Sequence, residues 1–234
     1  MEISRFTNYY LGLVKSYGFE LLKVKERGER FAKFINKQFE VTFEHLIFFN
    51  RSGTIDFFVI GENEIITSIY NKLNGIPNTK ELYLFSANLR SYLNPVNKGG
   101  FSNRAMGDNN QYNFFAIQSE EKTKEFAETI FKEVFNRSVP GIIEETNSLE
   151  KLEKVLNPNP QVFDLEGDPK KRVHTSSLPD QLLVGLLLAK YLKRENFDEL
   201  LHNYSGFINK FSPGDVLEID LIKQNFIYDK FSMS

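Results

Sequence analysis

Residues 30–60 read RFAKFINKQFEVTFEHLIFFNRSGTIDFFVI, and from residue 38 their polarity alternates with a period of two. Successive side chains of a strand point to opposite faces, so this pattern predicts a β-strand with one buried face. The apolar side comprises Phe39, Val41, Phe43, His45, Ile47 and Phe49, and the polar side comprises Gln38, Glu40, Thr42 and Glu44. The tetrapeptide NRSG at 50–53 then predicts a hairpin turn into a second strand over 54–60.

The segments around this hairpin predict an antiparallel meander with helices on one face. Before the hairpin we expect an opening helix that ends at Gly18, a strand over 19–25 and a turn at 26–29. After the hairpin we expect a helix that starts after Asn63 and strands at 82–85 and 112–118. A helix from Ser119, which Pro140 breaks, and a short helix capped by Ser148 follow. The sequence of residues 94–111 predicts a long polar loop.

The predicted fold class is α+β, an antiparallel sheet packed by helices and followed by a small C-terminal helical hairpin. Residues 1–156 form the α+β domain, and residues 157–177, rich in Pro, Gly and charge, form a linker. We expect residues 178–234 to form a helical segment docked on the first domain, with helices at 182–192 and 197–207. Residues 216–231 are compatible with either a helix or a strand.

Composition excludes several classes of chemistry. The 234 residues include 23 Phe but no Trp and no Cys, so disulfides, thiolate metal sites and Cys nucleophiles are excluded. A net charge of −2 argues against a dedicated nucleic-acid binder.

The N-terminus resembles no signal peptide, and the longest apolar run, 182–189, is far shorter than the ~20 residues that span a bilayer. The sequence therefore predicts a cytoplasmic protein without a membrane segment.

The three histidines, His45, His174 and His202, are the scarcest reactive side chains. His45 lies on the apolar side of its strand, which favours a hydrogen-bonded core histidine over a catalytic base. His174 lies in the predicted linker. Metal-binding, phosphate-binding and nucleophile-elbow motifs are all missing from the sequence, so it predicts no cofactor and no metal.

Basic residues are concentrated near the N-terminus. Residues 1–38 carry eight Lys and Arg against four Glu, whereas residues 119–156 carry nine Glu against six Lys and Arg. Such polarity can orient a partner through complementary potentials, although mixed charge is also the ordinary state of a protein surface. The candidate partner-binding residues are Lys23, Lys25, Arg27, Arg30, Lys98 and Arg104.

The order of elements resembles bacterial families of domains of unknown function. The resemblance covers about the first two-thirds of the chain and depends on Tyr17-Gly18-Phe19, on the meander up to Gly61, and on the segment from Phe131 to Leu156 with its Val139-Pro140-Gly141 break. It implies an immunity-like or accessory protein of a bacterial toxin system, since some members of these families look like such proteins. It implies no catalytic residues.

Three functions remain open at this point. The favoured hypothesis is a non-enzymatic protein that binds another protein. The second is a hydrolase or transferase that uses His45 or His174 with nearby carboxylates. The third is a weak binder of anionic ligands, including nucleic acid, through the basic N-terminal residues.

Overall fold

The computed structural model describes residues 2–51, 55–73, 82–89, 117–157 and 178–202. In chain order its elements are α1 (Ile3–Val14), β1 (Glu20–Lys25), β2 (Arg30–Asn36), β3 (Thr42–Phe49), β4 (Ile55–Glu62), α2 (Glu64–Leu73), β5 (Phe85–Asn88), α3 (Glu120–Ile130), α4 (Asn136–Thr146), α5 (Leu149–Leu156) and α6 (Leu178–Tyr191). A 3-10 turn, Lys15–Tyr17, follows α1, and a π-helical turn, Phe131–Phe135, joins α3 to α4. A further helical stretch covers 197–202.

The strands of the described chain form an antiparallel meander in the order β1-β2-β3-β4-β5. The predicted hairpin pairs β3 with β4, from Thr42 opposite Glu62 to Phe49 opposite Ile55. Helices accompany this sheet, so the predicted α+β class is confirmed.

The predicted strand over 38–49 is too long, because residues 37–41 form the turn between β2 and β3. Asn36 builds this turn: its side-chain oxygen accepts a hydrogen bond from the Gln38 N–H at 2.9 Å, and its Nδ2 donates to the Tyr17 carbonyl at 2.8 Å. Phe39, expected on the buried face, is 38% exposed. Asn favours turns because its side chain bonds the backbone two residues on, which an alternation of polarity does not reveal.

The inner face of the sheet, the one that α1 covers, holds the core. Phe43, Ile47 and Phe49 are buried there as predicted. Their neighbours are largely aromatic, since the Phe6 ring on α1 lies edge-on to Phe49 with the centroids 5.5 Å apart. We call the opposite face of the sheet the outer face.

Glu44 corrects the expectation that the polar side of β3 faces solvent. It lies on the outer face, yet it is only 4% exposed, and its carboxylate forms an ion pair with Lys33 at 2.6 Å. Ile60, the residue on β4 that pairs with Glu44, is also buried. Alternation of polarity separates the two faces of a strand but does not show that the second face is covered.

Pro140 does not break its helix, contrary to the sequence prediction. It lies inside α4, which continues to Thr146. Proline lacks the N–H that bonds the carbonyl four residues earlier, here that of Asn136, and its ring crowds that carbonyl. The π-helical turn ends directly before Asn136, so the irregular hydrogen bonding falls one turn upstream of Pro140.

The predicted helix starts are confirmed. Ser119 and Ser148 accept hydrogen bonds from the N–H groups three residues on, each at 3.2 Å. Asn63 caps α2 through the N–H groups of Ile65 and Ile66. The strand predicted at 82–85 begins only at Phe85. Of the strand predicted at 112–118, only residues 117 and 118 are described, and they are irregular.

Helix α6 packs on α5 and corresponds to the first helix of the predicted hairpin. The Asn157 side chain donates to the Gly185 carbonyl at 3.0 Å, and the Arg194 guanidinium pairs with Glu153. The second predicted helix is seen over 197–202. The loop at 94–111, residues 158–177 of the linker and residues 203–234 lie outside the described residues. No helix within the described ranges combines the length and the apolarity needed to cross a membrane.

Candidate functional site

Four of the six basic residues that the sequence singles out belong to β1, to the start of β2 or to the turn between these strands. Consecutive strands run in opposite directions, so the turn after β1 and the turn after β3 fall at the same end. Arg27 lies in the first turn, between Lys25 and Arg30, and Arg51 begins the second. We call Lys23, Lys25, Arg27, Arg30 and Arg51 the basic end.

A β-bulge at Leu22 decides which way the two lysines of β1 point. The register of β1 against β2 shifts between Leu21 and Lys23, so Leu22 is an extra residue, and it is 52% exposed. Beyond the bulge, Lys23 and Lys25 lie on the outer face, while Val24 packs against the core. A regular strand would reverse this arrangement, because a slip of one residue moves every side chain to the other face.

Three phenylalanines cross the outer face beside these lysines. The ring centroids of Phe31 and Phe48 are 6.0 Å apart, and those of Phe48 and Phe58 are 5.9 Å apart. The ammonium groups of Lys23 and Lys25 lie 5.9 Å and 6.0 Å from the centre of the Phe31 ring, within the range of a cation–π interaction. We call Phe31, Phe48 and Phe58 the aromatic row. All three are half-buried, so this surface presents apolar and cationic groups side by side.

A cleft of about 250 Å³ opens between the two turns. Residues of both turns and of the adjoining strand ends line it: Gly28, Glu29, Arg30, Phe48, Phe49, Asn50 and Arg51. Arg30 is half-buried, and Arg51 is exposed. Phe48 belongs to both the cleft and the aromatic row, so the two features form one continuous surface.

Three carboxylates accompany the basic end, and two of them make hydrogen bonds within the fold. Glu26 accepts a hydrogen bond from the Ser4 N–H at 2.9 Å, at the start of α1, and this bond lowers the pKa of Glu26. Asp56 accepts one from the Asn50 side chain at 2.6 Å. Glu29 lines the cleft. Five basic side chains against three carboxylates leave this end of the sheet positive.

Four of the six predicted partner-binding residues are thus brought together, and the other two, Lys98 and Arg104, lie outside the described residues. Arg51 was missed by the sequence analysis. The signal was present, because Arg51 stands in the predicted hairpin turn, and alternate turns of an antiparallel meander share one end of the sheet.

His45 is enclosed in the core, as the favoured interpretation of the sequence predicts. Its side chain is 0% exposed, its Nδ1 lies 3.1 Å from the Phe58 carbonyl oxygen, and its Nε2 lies 2.8 Å from the Tyr10 hydroxyl. A carbonyl only accepts, so Nδ1 carries the proton and Nε2 accepts from Tyr10. Burial lowers the pKa of His45 to about 4 and raises that of Tyr10, so both groups stay neutral.

Other candidate reactive groups are sparse in the described part of the chain. His202 is exposed on its helix, and His174 lies outside that part. Among the described residues, no group of three or more His, Asp or Glu side chains is placed to hold a metal ion. No family model, curated protein or solved structure matches this chain. The candidate site is therefore defined by geometry alone, and it consists of the basic end, the aromatic row and the cleft between the turns.

Proposed function

We propose that this chain is a non-enzymatic binding protein that recognises an acidic protein partner through the basic end and the aromatic row. The observation that carries the proposal is the position of Lys23 and Lys25 beside the three phenylalanines on the outer face, at the end of the sheet that Arg27, Arg30 and Arg51 share. Interfaces are rich in aromatic residues and Arg, which provide apolar area and oriented hydrogen bonds together. The resemblance to families with immunity-like members points to the same class of function, and we place the interaction in the cytoplasm.

The environment of His45 favours binding over catalysis. A general base must come within hydrogen-bond reach of the substrate proton that it abstracts. Both ring nitrogens of His45 instead face partners inside the core, and the ring has no exposed surface. His45 therefore supports the sheet from within and does not reach a ligand on the outer face.

Single-stranded nucleic acid is the second candidate ligand, and the aromatic row is the observation that favours it. Bases stack on aromatic side chains next to cationic groups in many single-strand binders. The protein partner ranks first because the whole chain carries a net charge of −2, which weakens the long-range attraction on which general nucleic-acid binding depends.

Site-specific photo-crosslinking in cells that encode the protein tests the proposal. A photoreactive amino acid replaces Lys25 at the basic end, and in the matched control it replaces Lys124, an exposed lysine on α3. We expect a discrete protein adduct at position 25 that is absent at position 124 and resists nuclease. The adduct should disappear when Arg27→Glu is added, because that reversal removes the complementary charge.

Two outcomes would contradict the proposal. Adducts at position 25 that nuclease destroys would identify nucleic acid as the ligand of this surface. Equal adduct patterns at positions 25 and 124 would show that the basic end is not a specific interface.

A further inference from the structure

The cleft between the two turns combines features that suit a single small anionic group. We infer that it is an oxyanion pocket, which takes one carboxylate or phosphate group of the partner between Arg30 and Arg51. The inference deepens the proposed function and rests on it, because the pocket adjoins the aromatic row at Phe48.

The size of the cleft limits what it can hold. Its volume of about 250 Å³ is several times the ~30 Å³ share of a water molecule in the liquid. It falls below the range of roughly 300–1,000 Å³ that is usual for pockets that enclose a whole small-molecule ligand. A carboxylate or phosphate with its first linking atoms fits this space, whereas a complete nucleotide cofactor does not.

The lining supplies the matching chemistry. The guanidinium group of arginine is planar, stays charged and presents a fork of donors that matches two oxygens of a carboxylate or phosphate. Arg30 and Arg51 approach the cleft from different turns, so an anion held between them would bridge the two turns. Phe48 and Phe49 form the apolar part of the lining, and the lower local dielectric next to them strengthens the attraction between ion and guanidinium.

Glu29 is the acidic residue of the same lining, and it opposes the binding of an anion. Its carboxylate repels any anion that enters and leaves the three charged side chains of the cleft at a net +1. The attraction therefore remains moderate in the native chain. This charge balance weakens the binding of isolated ions, so tight binding requires that the rest of the partner contact the aromatic row.

The test is an NMR titration of the ¹⁵N-labelled full chain, observing the Arg side-chain Nε–H groups and the backbone N–H groups of residues 28–30 and 50–51. The probes are inorganic phosphate and succinate, with sodium chloride at matched ionic strength as the reference. We expect saturable shifts at Arg30 and Arg51 with at least one oxyanion and none with chloride. Saturation by phosphate alone would identify a phosphate-bearing partner group, and saturation by succinate alone would identify a carboxylate.

Three variants show whether the shifts arise in the cleft. Arg51→Gln should weaken the dissociation constant about tenfold, since one of the two charge-assisted contacts is lost. Glu29→Gln should tighten it severalfold, a gain that a purely structural role of Glu29 would not produce. Lys124→Gln, which removes one charge at an exposed position of α3 far from the lining in sequence, should leave it unchanged.

Shifts that match those in chloride, or an affinity that Arg51→Gln and Glu29→Gln leave unchanged, would overturn the pocket. That result is distinct from a failure of the proposed function, because crosslinking at position 25 reports on the whole basic end. A specific protein adduct without a saturable oxyanion site would retain the proposed function and remove the pocket alone.

Discussion

At the scale of single residues, the hydrogen bonds of His45 set a protonation state that the fold depends on. Its neutral ring donates from Nδ1 to the Phe58 carbonyl on β4 and accepts at Nε2 from Tyr10 on α1. The residue thus joins the sheet to the helix that covers it. Protonation would replace the acceptor with a donor facing the Tyr10 hydroxyl and would place a charge in the core.

Stability should accordingly fall in mild acid. The pKa of His45 is lowered from 6.5 to about 4 by burial, so the unfolded chain binds the proton first. The stabilisation is complete above pH 6.5 and is lost as the pH falls towards 4, with a loss of about 3 kcal/mol in unfolding free energy. Urea unfolding of the native chain at several pH values between 4 and 7 measures this loss.

The matched variant for this prediction is His45→Gln. A glutamine amide can donate to the Phe58 carbonyl and accept from Tyr10, but it takes up no proton in this range. The pH dependence between 6.5 and 4 should therefore be smaller by about 3 kcal/mol in the variant. Identical pH profiles for the two proteins would show that His45 titrates normally.

Glu44 provides a second residue-scale prediction. Glu44→Lys should destabilise the protein by about 3–5 kcal/mol, because it breaks a buried ion pair and places a second cation beside Lys33. Glu44→Gln, which keeps the shape and an acceptor, should cost less. Thermal or urea unfolding compares the two, and a Glu44→Lys protein as stable as the native chain would mean that the pair is open to solvent.

At the scale of elements, the contact between β4 and β5 depends on the absence of a side chain at Gly61. Gly61 pairs with Phe85, and the Phe85 ring occupies the space that a Cβ at position 61 would need. Any side chain larger than that of glycine at position 61 would therefore collide with the Phe85 ring. This packing completes the buried end of the sheet, where Phe85 also contacts Phe43 with the centroids 6.2 Å apart.

Two glycine-to-alanine substitutions with opposite expected signs test this contact. Gly61→Ala should destabilise the fold by about 1–3 kcal/mol, because overpacking forces Phe85 or the backbone to move. Gly12→Ala, on an exposed position of α1 with open space around it, should stabilise the fold by about 0.5–1 kcal/mol. Urea unfolding gives both values, and a neutral Gly61→Ala would show that β5 is not held against β4 as described.

At the scale of the whole molecule, charge is distributed unevenly over the fold. The basic end lies at the turns of the sheet, whereas the sequence of α3, the π-helical turn, α4 and α5 carries an excess of Glu. An acidic partner of the kind that we propose would therefore be attracted to the basic end and repelled by the Glu-rich helices. This orients the encounter before short-range contacts form.

The kinetics of association with the crosslinked partner should reflect this distribution. Reversal of Lys25 and Arg27 to Glu should lower the association rate about tenfold at low salt, with little change in the melting temperature, because exposed charges act on the encounter. Raising the salt should reduce the difference, since the Debye length falls to about 8 Å at physiological ionic strength. Surface plasmon resonance measures these rates.

The control for this experiment reverses Lys122 and Lys124 on α3, which are equally exposed. That variant carries the same change in net charge but leaves the basic end intact. Equal association rates for the two double variants would mean that net charge, and not the basic end, governs the encounter.

Local signals in the sequence were sufficient to predict the class of the fold and most of its elements. The periods of its apolar residues, the caps at Ser119 and Ser148 and the stop at Gly18 are local signals, because each depends on residues within one or two turns of the chain. Four members of the basic end were likewise visible as a cluster near the β1–β2 turn. The same local reasoning identified His45 as a core residue, since its neighbours in the strand are apolar.

The features that depend on distant residues could not be predicted in this way. The bulge at Leu22 sets the face of Lys23 and Lys25 through pairing with β2, and the burial of Glu44 depends on what covers the outer face. Arg51 joins the site because two turns far apart in sequence meet at one end of the meander. Pairing, burial and proximity are properties of several segments together, so no single stretch of sequence contains them.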